Sequence, residues 1–365
     1  MSFKANQLVI NRVANPPPLP SLKGVAFGTI FTPHMVQIVT ESTTQWGAPK
    51  IVPFQNFSMA PQTACLHYGL QCFEGMKAYR DAAGNVRLFR PERNCERMLA
   101  SMRRLCFPDF DTKELLKILE EFVKVEKDYV PTERGYSLYL RPAAIGIDEV
   151  LSASSPTSVM LFIIASPVGP YYASGMKPVK LLVEEERKRA WPGGTGNVKL
   201  GANYAAPMLV QKEAAARGYQ QVLWLGPKDE VQEVGAMNFF CLWQPNKNNA
   251  ELELITAPLD GTVLPGITRD SILSLARQWG EVRVSERTFT IQELVTALQE
   301  KRVKECFGCG TAAIVTPVEG LHFNHVDYQV PCPEAEKSLT HRILNAIMDI
   351  QYGVVKHEWS HVINM

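Results

Sequence analysis

GGTGNVKLGANY, Gly193 to Tyr204, is the stretch whose reading decides the fold. Its glycines free the backbone for positive-φ conformations and for close approach to a ligand, and they surround a single lysine, Lys199. A lysine held in a partly apolar pocket gives up its proton more readily. The neutral amine can then act as a nucleophile and form a Schiff base. A glycine-flanked lysine can equally be a solvated loop residue, so Lys199 alone leaves both readings open.

Three further segments bear on it. EVGAMN, Glu233 to Asn238, follows the apolar run Val222 to Leu225 and the turn GPKDE, and puts a carboxylate just beyond a strand. LPGITR, Leu264 to Arg269, reads as a glycine turn feeding a helix whose first N–H groups, at Ile267 and Thr268, can bind a phosphate. FGCGTAA, Phe307 to Ala313, reads as a glycine-spaced turn whose backbone N–H groups suit a second anion such as a substrate carboxylate. A reactive lysine, a carboxylate that can keep a ring nitrogen protonated, and two anion-binding turns are what a pyridoxal 5'-phosphate site requires. Each motif is weak alone; their order in one chain is specific.

With LHYGLQCFEGMKAY (Leu66 to Tyr79), LFRPERNCERM (Leu88 to Met98) and SLYLRP (Ser137 to Pro142), the chain resembles the branched-chain-amino-acid aminotransferases, fold type IV pyridoxal-phosphate enzymes, from about Phe27 to its end. The resemblance implies a two-domain α+β fold with the cofactor site at the domain interface. It makes Lys199 the Schiff-base lysine and the base that moves the substrate Cα proton. Glu233 would pair with the pyridine nitrogen and Tyr204 with the phenolic oxygen. Arg97 would clamp the phosphate with the backbone of Ile267 and Thr268, its fork suiting a phosphate better than a point charge. The turn around Cys309 would lie close to the phosphate, and the N–H groups of Thr311 and Ala312 would hold the substrate α-carboxylate. Phe27, Tyr68, Phe73, Tyr139 and Tyr171 would line an apolar pocket, with Trp191 adding wall. Arg141 would bind the distal carboxylate of the second substrate. The implied reaction is ping-pong amino transfer between leucine, isoleucine or valine and 2-oxoglutarate, and the implied assembly a homodimer.

The chain departs from the family at Ala236, where vertebrate enzymes commonly have threonine, and at Ala313 and Thr316, where the mitochondrial animal enzymes carry a redox-active cysteine pair. That switch is missing, and oxidation of Cys309 should only damage its turn. Two other readings stay in view. A D-amino-acid aminotransferase or aminodeoxychorismate lyase would keep Lys199 and Glu233 but not the FEGMKAY, YLRP and GTAA matches. A non-catalytic pyridoxal-phosphate-binding regulator would lose Lys199, Tyr204 or Glu233.

Composition agrees with an enzyme of small molecules. The 365 residues suggest about two domains. Lys plus Arg number 38 against 37 Asp plus Glu, which gives no basic field for nucleic acid or an anionic membrane. Eight scattered cysteines read as reduced thiols, and Cys306 with Cys309 lacks the companions of a zinc site, so no metal is expected. MSFKANQLVINRVANPPPLP lacks the apolar centre of a signal peptide; the cytoplasm is the expected address, or the mitochondrial matrix for a processed form.

Strands are expected at Val36 to Thr40, Ile51 to Phe57, Ser137 to Leu140, Thr157 to Ala165, Val179 to Val183, Gln221 to Leu225, Asn238 to Trp243 and Glu251 to Thr256. A hairpin is expected over Lys77 to Phe89. Helices are expected from Pro91, after Asp111 with Glu114 as a capping signature, and near 204–217, 269–279, 290–300 and 334–352. SPVGPYYASGMKP breaks all periodicity. The division is therefore a small α+β domain over 1–166, a linker over 167–178, and a large α+β domain over 179–365 that carries Lys199.

Overall fold

The apolar run VMLFIIAS forms a strand over Val159–Val168, near the middle of the first of two sheets. A computed structural model describes residues 2–42, 45–170, 177–247 and 250–364; Tyr171 and much of the expected linker lie outside the described residues. Two compact units emerge: Met1–Ala173 with Val198–Ala202 and Asp349–Met365, and Ser174–Asn197 with Asn203–Met348.

In the first unit lie β1 (Val9–Ile10), β2 (His34–Ser42), β3 (Gln45–Trp46), β4 (Lys50–Pro53), β5 (Gln71–Phe73), β6 (Met76–Arg80), β7 (Val86–Phe89), β8 (Ser137–Gly146) and β9 (Val159–Val168). The path runs β1-β4-β2-β9-β8-β6-β7, with β5 also on β8. The expected hairpin forms as β6 and β7, closed by Asp81, whose carboxylate accepts from Ala83 N and Asn85 N. Three helices join them: α1 (Ala64–Tyr68), α2 (Pro91–Arg104) and α3 (Thr112–Val125). On α3 the buried residues Leu115, Ile118, Leu119, Phe122 and Val123 repeat at helical spacing and join Val36, Leu138, Leu140, Leu161 and Ile163 in one core. Emptying the space of a side chain such as Phe122 would cost about 3–5 kcal/mol. The capping signature forms only in part. Asp111 caps α3 by accepting from Lys113 N, while Glu114 turns to Ala5 N at 2.7 Å.

The second unit holds β10 (Val179–Glu184), β11 (Gln221–Leu225), β12 (Val231–Val234), β13 (Met237–Trp243), β14 (Glu253–Thr256), β15 (Arg283–Glu286), β16 (Val303–Gly310), β17 (Ile314–Phe323) and β18 (Val326–Gln329). The path β12-β11-β10-β17-β16-β13 returns to β12, so six strands close on themselves around Leu181, Leu223, Val234, Phe239 and Cys306. Its helices are α4 (Ala202–Ala205), α5 (Met208–Ala216), α6 (Ile267–Trp279), α7 (Ile291–Gln299) and α8 (Leu339–Gln351). The helix expected over 204–217 is two, because Pro207 has no N–H to continue the first. Finally β19 (Ser360–Val362) pairs with β7 in the first unit.

Two further expectations change. Phe307 to Gly310 are not turn but the end of β16, paired to β13 and β17, so the turn is only Thr311 to Ala313. A single cut at 167–178 also differs from the observed units. Val198–Ala202 belongs with the first because Phe73 N donates to Lys199 O and Gly201 N to Gln71 O, and the chain's end belongs there through β19.

Candidate functional site

In the first unit, Lys199 lies in an extended stretch beside β5. Its backbone N donates to Ser101 Oγ at 2.9 Å, and its Nζ stands 4.7 Å from the centre of the Phe73 ring. Burial, then the Arg97 guanidinium, lower its pKa to about 8 from 10.5; Glu74 and Tyr139 pull the other way. Arg97, on α2, is buried and forms a two-armed pair with Glu74, Nε to Oε1 at 2.7 Å and Nη2 to Oε2 at 3.0 Å. Asn94 Nδ2 at 2.8 Å and Gly75 N at 3.1 Å also donate to Glu74 Oε2. Burial opposes a charge on Glu74, but the Arg97 pair, Lys199 and Asn94 outweigh it and hold the carboxyl below its ordinary value.

The same unit gathers the expected pocket residues Phe27, Phe73, Tyr139 and Arg141. The Arg141 guanidinium lies 4.6 Å from the Phe73 ring centre and 5.2 Å from that of Tyr139, and its Nη2 donates to Tyr139 Oη at 2.9 Å. Phe27 meets Tyr139 edge to face at 5.0 Å. Tyr68, at the end of α1, is 41% exposed, so in this chain it is a surface residue.

In the second unit the β12–β13 hairpin brings Glu233 opposite Asn238. The buried Glu233 carboxylate accepts from Asn238 Nδ2 at 3.1 Å and Leu264 N at 3.0 Å, and pairs with Arg189 Nη2 at 3.0 Å. Leu264 leads into α6, which no side chain caps at Gly266, so Ile267 and Thr268 present the helix's first N–H groups beside the Glu233 cluster. A Cβ on Gly266 would collide with Asn238 Oδ1, which makes glycine necessary there. Cys309 faces Asn238 across β13 and β16; it is buried, and burial pushes its thiol well up. After Thr311 and Ala312 the chain enters β17 at Ile314 with φ +62°, a strained value for a β-branched residue. Tyr204, on α4, is half-buried.

The family profile described as Amino-transferase class IV matches residues 71–321. The chain belongs to the class IV aminotransferases. A branched-chain-amino-acid aminotransferase from Dictyostelium discoideum is 45% identical over 99% of this chain and 96% of its own length. The mitochondrial one from Schizosaccharomyces pombe is 48% identical over 96% and 83%. Within class IV the chain is thus a member of the branched-chain-amino-acid aminotransferase family. The fold agrees with the structure of the Thermobaculum terrenum branched-chain amino acid aminotransferase in its PLP form, at TM-score 0.73 and 21% identity over 91% of this chain and 99% of that one. The class brings pyridoxal 5'-phosphate with it.

The residues present fit that cofactor. In the first unit Lys199 is an amine of lowered proton affinity beside the Arg97 guanidinium, and in the second the start of α6 carries no side-chain cap. Buried guanidinium nitrogens, Arg141 Nε in the first unit and Arg189 Nε in the second, have no hydrogen-bond partner among the described residues, a donor chemistry made for anions. Sequence reasoning missed Glu74, Asn94, Ser101 and Arg189. The first signal was legible: Asn94, Arg97 and Ser101 are polar residues three and four apart on one face of α2, between the apolar Cys95, Met98 and Met102. Arg189 offered none, since it reads as one of several cations in EEERKRAW. Trp191, expected as apolar wall, is 55% exposed.

Proposed function

We propose that this chain performs branched-chain transamination, between leucine, isoleucine or valine and 2-oxoglutarate, with Lys199 as its base. The observation that carries the reading is Lys199 itself, half-buried over Phe73 and facing Arg97, Arg141 and Glu74. Bound pyridoxal phosphate supplies the electron sink that stabilises the carbanion left when Cα loses its proton. Lys199 Nζ takes that proton and returns it, since an amine with pKa about 8 exchanges protons near neutral pH. Arg97, Ile267 N and Thr268 N bind the phosphate; Glu233, held by Arg189 and Asn238, pairs with the ring nitrogen; Tyr204 binds the phenolic oxygen. The walls are Phe27, Phe73 and Tyr139, with Tyr68 and Tyr171 as further candidates. Arg141 takes the distal carboxylate of glutamate or 2-oxoglutarate, Thr311 and Ala312 the α-carboxylate, and the strand at Cys309 backs the phosphate.

The D-amino-acid, lyase and non-catalytic readings are not favoured by relatives of this identity and name. We also propose a homodimer, checked by sedimentation equilibrium, and a cytoplasmic address, checked by fractionation; no described helix is long and apolar enough to cross a membrane. The deciding experiment is borohydride reduction of the yellow protein followed by peptide mapping, with turnover of L-leucine and D-alanine measured alongside. A pyridoxyl group on Lys199 and a strong preference for leucine support the proposal. A label elsewhere, or equal turnover of D-alanine, overturns it.

A further inference from the structure

Glu74 has no part in the roles above, yet it is the most completely enclosed charge near Lys199. Its side chain is wholly buried and takes four donors: Nε and Nη2 of Arg97, Nδ2 of Asn94 and N of Gly75. Three of these fall on Oε2 and one on Oε1, so both carboxylate oxygens are held. The paired arms from Arg97 are parallel, the arrangement that fixes the plane of a guanidinium as well as its position.

Three elements converge here. Asn94 and Arg97 descend from α2 one turn apart, and Ser101, a further turn along, holds the backbone N of Lys199. Glu74 and Gly75 come from the bend between β5 and β6. Among the groups that act on Lys199 are the guanidinium groups of Arg97 and Arg141, which oppose its charge, and the carboxylate of Glu74, which favours it.

We propose that Glu74 is a positioning residue for the transamination: its carboxylate aligns Arg97 by one edge of the guanidinium and supplies a negative charge that acts on Lys199. The proposal rests on the roles given above to Lys199 and Arg97. A carboxylate that only held the fold together would affect stability and leave the titration of Lys199 alone.

The test is competitive acetylation of full-length protein freed of cofactor, with the Lys199 peptide quantified by mass spectrometry across pH, together with titration by pyridoxal phosphate. In the parent the labelling midpoint should lie at about 8. Glu74→Gln should move it down by about one pH unit, the effect of losing a near opposite charge, and weaken cofactor binding at least tenfold. Glu74→Asp keeps the charge but shortens the arm. It should hold the midpoint and still weaken cofactor binding, and it serves where the glutamine variant does not fold. An unchanged midpoint in Glu74→Gln, or full cofactor affinity in Glu74→Asp, overturns the proposal. Failure of the underlying assignment would show separately, as a borohydride label mapping away from Lys199 whatever the midpoint does.

Discussion

Gly75→Ala is the smallest change that should disturb the substrate side of the site. A Cβ built on Gly75 stands 2.9 Å from Cζ and 3.2 Å from Cε2 of Tyr139, and closer still to its Oη. Ordinary contact begins near 3.4 Å, so the ring must withdraw by at least about 0.5 Å at Cζ and further at Oη. Tyr139 is enclosed, with Phe27 against its edge, so there is little room to absorb the shift. Oη receives Arg141 Nη2 at 2.9 Å, and a withdrawal of that size takes the pair to the limit of hydrogen bonding. Losing a hydrogen bond to a charged group costs about 1.5–3 kcal/mol, or ~10- to 100-fold in kcat/KM. With Arg141 in its proposed role at the distal carboxylate, the loss should fall more heavily on 2-oxoglutarate and glutamate than on leucine. Steady-state kinetics with each substrate measures it. In a Tyr139→Phe background the hydroxyl is already gone, so the alanine should add little more on the acidic substrates. Unchanged kinetics in Gly75→Ala, or additive losses in the double variant, would refute the steric argument.

Three further outcomes are expected. Uptake of pyridoxal phosphate by cofactor-free protein should rise with pH up to about 8 and level off above, because only the neutral Lys199 amine attacks; stopped-flow absorbance follows it, and a rise continuing towards 10.5 would show an unperturbed lysine. Ile314→Gly should relieve strain of about 1–3 kcal/mol while freeing the Thr311 to Ala313 turn, so thermal stability should hold and KM for the amino acid should rise; an unchanged KM would detach the turn from substrate binding. Peroxide should oxidise the exposed Cys106 well before the buried Cys309, whose thiol is pushed up; peptide mapping that finds Cys309 first would contradict its burial.

What depends on local spacing is legible in the sequence: the glycines around Lys199, the helix start at α6 and the β6–β7 hairpin all follow from short-range patterns. The Glu74–Arg97 pair is not, because its partners are 23 residues apart and nothing local says which carboxylate a given guanidinium meets. FGCG misled for a different reason. Gly308 is not a turn residue but a strand residue with no room for a side chain, since a Cβ there would sit 2.7 Å from Val234 Cγ1 and 3.0 Å from Met237 Cε. Spacing alone does not separate a glycine that bends the chain from one that admits a neighbour.

The pairing of β19 with β7 bears on how this chain is made. Val86 to Phe89 are synthesised early, yet the strand that covers them, Ser360–Val362, is made only after the second unit, with Ile363 N reaching back to Val86 O. Domains usually fold from the N-terminus as they emerge. Here the first unit cannot finish while the ribosome is still translating the second, and the backbone groups of β7 that β19 will cover stay open throughout. Such an edge invites pairing with another chain, so crowded polysomes are where this protein is most exposed to misassembly.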